Sequence, residues 1–158
     1  MTATPAPTDV IADFLAHSAP DKVDEAARRL VAEDATYISL NFDNPELKQI
    51  LPWTGTRTGR QAYVDTFKTA MKWWVAEEFE ITDLFNAGED VAVFGAFTFR
   101  AITTGKTIHS PFSIHAKVRD GLIVYFQFME DTFGSARTFS PSGTWTIKND
   151  PSGPEIEV

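Results

Sequence analysis

Two adjacent acids, Glu130 and Asp131, close the aromatic run "VYFQFMED" and are followed by "TFG". A carboxyl set among rings loses hydration, holds its proton to higher pH and can pass it near neutrality. Asp131 also stands one residue ahead of a short helical pattern, the position of an N-cap. It reads as a cap and, alternatively or in addition, as a general acid or base. Strand parity separates the pair. Val124, Phe126, Phe128 and Glu130 share one face of a regular strand; Tyr125, Gln127, Met129 and Asp131 share the other. The uniformly apolar face belongs to Glu130, and a bulge near Met129 would reset the alternation in favour of Asp131.

Other groups that do chemistry are few. His109, Ser113 and His115 fall on one face of a strand, with the two imidazoles about 20 Å apart along an extended chain. That spacing cannot serve one ion, so no metal is expected. His109, near the strand's start, is the third catalytic candidate, as a proton partner at a cavity mouth. Arg100 reads as a solvated strand-end residue. The chain holds no cysteine, which excludes disulfides, thiolate nucleophiles and Cys-bound zinc. Phosphate loops, nucleophile elbows and the His-Glu-x-x-His zinc motif are missing. The sequence therefore points to acid–base chemistry without a cofactor, or to binding alone.

These groups sit in a chain of 158 residues, enough for one domain with a proper core. Thirteen Phe and four Trp make either that core or a pocket wall aromatic. Tyr37 and Trp53 are the foremost pocket candidates. A net charge of −8 repels nucleic acid and anionic lipid. Apolar runs fall short of the roughly 20 residues a membrane helix needs. "MTATPAPTD" lacks the pattern of a secretory signal. Residues 1–8 are expected to be a disordered lead and the protein to be cytoplasmic.

Periodicity places the elements. Thr8 or Asp9 caps a first helix with Val10, Ile11, Phe14 and Leu15 on one side. A second starts at Asp21 with Val23, Ala26, Ala27, Leu30 and Val31 inward. "EDATYISL" changes to strand period. Asn41 to Arg57 shows no sustained period and reads as a long loop, a candidate lid. "TGRQ" has the form of a capping box for a third helix carrying Tyr63, Val64, Phe67, Met71 and Trp74. A meander of four strands follows, with turns at "NAGED", "TTGK" and "RDG". A short helix starts at Thr132. The tail, residues 140–158, adds an edge strand or contacts a partner. The class is α+β, with the body of the fold over residues 9–139.

Three segments, "LVAEDATYI", "GTRTGRQAYVDTF" and "RDGLIVYFQFMEDTF", in this order and spacing, resemble the SnoaL-like family of the nuclear transport factor 2-like superfamily. The resemblance implies a cone-shaped α+β barrel, an antiparallel sheet curved around an apolar pocket and packed against three helices. It also implies a homodimer, a small apolar ligand and chemistry of the isomerase, cyclase, hydratase or lyase type. The ketosteroid isomerase base falls near Ser39, and its oxyanion Tyr and Asp fall on Phe14 and Ile114, so that machinery is lost here. The Arg-x-Asp pair of limonene epoxide hydrolase has no counterpart at Arg100; its final Asp matches Asp131, near where the SnoaL cyclases also carry their acid. The order of preference is Asp131, then Glu130, then His109. The expected pocket is Phe14, Tyr37, Ser39, Trp53, Phe67, Phe112, Ile114 and Phe128. A non-catalytic binding protein of the same fold is the alternative.

Overall fold

In the computed structural model, which describes residues 4–158, the first helix, α1 (Pro7–Ala16), starts ahead of both expected caps, Thr8 and Asp9. Pro7 occupies the first turn, where its missing N–H costs nothing, and Ala6 is a cap without a side-chain bond. The helix takes in Pro7 and Thr8 of the expected lead; residues 1–3 of that lead lie outside the described residues. Helix α2 (Val23–Leu30) begins after Asp21, with Asp24 and Glu25 in its first turn and Arg28 and Arg29 in its last. That charge order complements the helix dipole. Its apolar face, Val23, Ala26, Ala27 and Leu30, is buried as the spacing requires.

Strand β1 (Val31–Ser39) follows without a loop. The segment read as a loop contains a helix, α3 (Pro45–Ile50), and a strand, β2 (Gly55–Thr58). Asn44 caps α3 by accepting the Leu47 N–H, with Pro45 at the helix start, a local signal. β2 has no such signal and exists because it pairs with β1 from Ser39↔Gly55 to Thr36↔Thr58. Thr58 is thus a strand residue, and the capping box does not form. Helix α4 (Arg60–Trp73) is instead capped by Gly59 at φ 107°, a conformation open to glycine. The Tyr63 hydroxyl donates to the Thr36 carbonyl at 2.7 Å and ties α4 to β1.

The remaining strands are β3 (Trp74–Ala87), β4 (Asp90–Ala101), β5 (Thr107–Arg119) and β6 (Leu122–Glu130). The β5–β6 turn uses positive φ at Asp120 and Gly121, as a two-residue hairpin with the right twist requires. The six strands form one curved sheet in the order β2-β1-β6-β5-β4-β3. The fold is α+β, as expected, with two corrections: the sheet stays open, and β1 runs parallel to β6. Two register shifts bend β3 against β4, after Ala76 and after Ile81.

Helices and sheet enclose one core. At its centre Phe14, Tyr37, Tyr63 and Phe126 pack edge-on or stacked, with ring centroids 4.9–6.0 Å apart. Helix α5 (Thr132–Thr138) crosses the end of β6. Beyond it the tail makes no edge strand of the main sheet: β7 (Thr146–Ile147) pairs only with β8 (Ile156–Glu157). Among the described residues no helix is long and apolar enough to cross a membrane.

Candidate active site

A cavity of about 440 Å³ lies between the helices and the concave face of the sheet. Its size falls within the range of small-molecule sites. α4 contributes Phe67 and Met71; β3 and β4 contribute Trp74, Phe79, Phe97 and Phe99. The end of α1 and the turn after it, from Leu15 to Pro20, form the rim. Against this apolar wall the polar side chains at the sheet are Tyr37 and Ser39 on β1 and Glu130 on β6. Among the described residues no Lys or Arg side chain lines it.

Glu130 is the carboxyl inside. The ladder from Lys117↔Tyr125 to Phe112↔Glu130 is unbroken, so no bulge occurs near Met129. The register shift lies between Lys117 and Val118, opposite Val124. Ile123 and Phe126 are therefore both fully buried, while Val124, expected inward, is the displaced residue. Parity beyond the bulge holds, and Glu130 points the same way as Phe126 and Phe128. The Ser135 hydroxyl donates to its Oε1 at 2.6 Å. Burial drives the Glu130 pKa up to about 7; the Ser135 bond works against that, and the charge of Asp131 adds to it. Its proton is therefore exchangeable near neutral pH.

Asp131 turns away. Its side chain is exposed and caps α5, accepting the Gly134 N–H at 2.8 Å. Its own N–H donates to the Ser110 hydroxyl at 3.1 Å. His109 lies on the outer face of β5, exposed, with Nδ1 2.9 Å from the Thr98 hydroxyl. His115, on that face too, bonds Asp90 at 2.7 Å. Among the described residues no group of three metal-ligating side chains comes together.

Of the expected pocket residues, Tyr37, Ser39, Trp53, Phe67 and Phe128 line the cavity. Phe14, Phe112 and Ile114 are buried but do not line it: Phe14 packs behind Phe67 at 5.6 Å, and Phe112 stacks between Phe79 and Phe128. Four cavity residues were not expected from sequence. Phe97 and Phe99 continue the inward alternation of Val91 and Val93 along β4. Phe79 owes its inward direction to the register shift just before it, and Leu40 follows the end of β1. Leu40 has φ 66°, uncommon for a branched residue. Its N–H donates to the Phe128 carbonyl at 2.9 Å, which holds the residue against the cavity.

The two core tyrosines, Tyr37 and Tyr63, differ. Burial raises both phenols far above their ordinary range, so both are neutral donors. The Tyr63 hydroxyl is spent on Thr36; Tyr37 makes no such bond among the described residues and borders the cavity. Trp53, Trp73, Trp74 and Phe139 pack edge to face, 4.7–6.4 Å apart, and close one end.

Comparison with known proteins agrees with this architecture. Patulin synthesis protein F of Aspergillus clavatus is 42% identical over 138 residues, which cover 85% of this chain and 70% of that protein. Patulin biosynthesis cluster protein F of Penicillium expansum is 39% identical over 151 residues, 93% of this chain and 75% of that one. Among solved structures, an NTF2-like protein of Burkholderia xenovorans superposes with a TM-score of 0.72, covering 89% of this chain and 100% of its own, at 21% identity. That likeness speaks for the fold alone. The family model described as "SnoaL-like domain" matches residues 11–126, the span that builds most of the sheet and cavity, and the chain belongs to that family.

Proposed function

We propose that this SnoaL-like protein is an acid–base enzyme acting on a small, neutral, largely apolar metabolite, with Glu130 moving the proton. The observation that carries the reading is a carboxyl with a pKa of about 7 in the wall of an apolar cavity. Its ionised form would take a proton from a carbon next to a carbonyl. Tyr37 and Ser39 would donate hydrogen bonds to the oxygen on which charge gathers, and the protonated Glu130 would return the proton elsewhere. Isomerisation and ring closure both fit that sequence of steps. The absence of Lys and Arg from the cavity wall disfavours substrates carrying phosphate or carboxylate. Two relatives named for the synthesis of patulin support a role in small-molecule biosynthesis. Asp131, the first candidate on sequence, enters this reading as a cap.

Glu130→Gln keeps the shape and removes the base. Turnover of an identified substrate should fall about 10²- to 10⁴-fold, with ligand binding retained. Turnover unchanged in that variant would remove Glu130 from the chemistry, and a ligand that is bound but never turned over would leave a binding protein of the same fold.

The same reading includes a homodimer formed through the outer face of the sheet. Phe85 and Phe94 stack there at 6.1 Å and are 57% and 44% exposed. Exposed paired rings on a sheet face favour a partner surface.

A further inference from the structure

The end of β6 holds a second, buried hydroxyl contact that the proposed chemistry has not used. Ser135 is 1% exposed. Its Oγ donates to Glu130 Oε1 at 2.6 Å, and its N–H donates to the Asp131 carbonyl at 3.0 Å. The first turn of α5 is therefore folded back over the carboxyl of the residue that precedes its own cap. Gly134 makes this possible. A Cβ there would sit 2.5 Å from Asp131 Oδ2 and 2.8 Å from Ile108 Cδ1, closer than real Cβ contacts, so a larger residue would displace the Asp131 carboxyl that caps this turn.

We infer that Ser135 is the positioning residue of this site, holding one carboxyl oxygen of Glu130 so that the other meets the substrate. Asp131 sets the turn that carries it. The inference rests on the proposed role of Glu130. It gives the adjacent acids separate tasks: one faces the cavity, the other builds the turn that orients the first. A single Ser–carboxylate bond fixes rotation about the last side-chain torsion, which is otherwise broad. It also favours the ionised form, since a hydroxyl donates more strongly to a carboxylate than to a carboxylic acid. The charged and titratable groups facing Glu130 are few: Asp131 at the end of its own strand and the neutral phenol of Tyr37 on β1. β5 offers Phe112 opposite it in register, and α4 and β4 offer Phe67, Phe97 and Phe99 across the cavity.

The test is a side-chain carboxyl NMR titration of the ligand-free protein, with Glu130→Gln used to assign the Glu130 resonance. Ser135→Ala should raise the Glu130 midpoint by about one pH unit, because a bond to the ionised form is lost. Asp131→Asn keeps a good cap and removes a like charge, so it should lower the midpoint. Opposite shifts in the two variants support the inference. A Glu130 midpoint unmoved in Ser135→Ala, even with reduced thermal stability, would reduce Ser135 to a packing residue and overturn it. A raised midpoint in Asp131→Asn would also overturn it. Because no substrate is involved, the titration stands apart from the turnover test. Opposite shifts together with unimpaired turnover in Glu130→Gln would retain the positioning of Glu130 and discard its catalysis.

Discussion

Glu130 is stable only because its charge is optional. Its carboxyl has an ordinary pKa of 4.5 and is raised to about 7 by burial. The folded state therefore binds the proton more tightly than the unfolded chain. Its contribution is fully present below about pH 4.5 and is lost as pH rises through 7. At about 1.4 kcal/mol per pH unit, the loss is on the order of 3 kcal/mol at pH 8. Glu130→Gln, which has no such titration, should be more stable than the parent at pH 8 and should converge with it near pH 5. Urea unfolding at both values measures the difference; an equal gap at both would mean that burial of Glu130 is not the cause. The same substitution is expected to abolish proton transfer, so stability and activity pull this residue in opposite directions. The sequence made this acid legible through alternation alone. It hid Asp131's direction, because a cap and a proton donor use the same residue at the same place.

At the scale of elements, what was legible was what is local. Helices α1, α2 and α4 announce themselves by apolar spacing, and the last three hairpin turns by Gly and Asp. Helix α3 carried a readable cap, Asn44 before Pro45, that a search for sustained periods passes over because only six residues follow. β2 and the parallel β1–β6 pairing were not legible: each depends on a partner strand remote in sequence. The register shifts in β3 are likewise properties of a pair. Gly95 shows why. It lies opposite Ile81 just before the second shift, and a Cβ there would run onto the Glu80 carbonyl oxygen and reach 2.7 Å from the Phe112 ring. Gly95→Ala should cost about 1–3 kcal/mol, seen as a lowered thermal midpoint. A variant as stable as the parent would show that the bend in β3 does not need glycine at this position.

Across the whole molecule, the sheet has two faces with different tasks. The concave face builds the cavity, while Phe85 and Phe94 stand on the convex one. If that face joins two copies, Phe94→Glu should yield a monomer in analytical ultracentrifugation while leaving the concave face intact. A parent protein that sediments as a monomer at micromolar concentration would remove the dimer. The resemblance named the family and the kind of pocket. With Phe112 and Ile114 expected inward, alternation already sets His109 and His115 on the opposite face of β5, where the structure has them. The edge strand β3 carries Glu77, Glu78, Glu80 and Asp83 in addition to its two register shifts. Charges and bulges of this kind keep an open edge from joining another sheet.

The parallel seam between β1 and β6 divides the cavity into two regions that answer to different substitutions. Tyr37, Ser39 and Glu130, the polar groups that the sheet presents to the cavity, all stand on those two strands. The β3–β4 side offers Phe79, Phe97 and Phe99, which supply contour without charge. On the proposed reading, the residues that would set the outline of a bound molecule are separate from those that would set its reactivity. A lineage can remodel the first set by exchanging one ring for another while inheriting the second unchanged. If the proposed chemistry holds, one scaffold could take different substrates while keeping the same proton-handling groups.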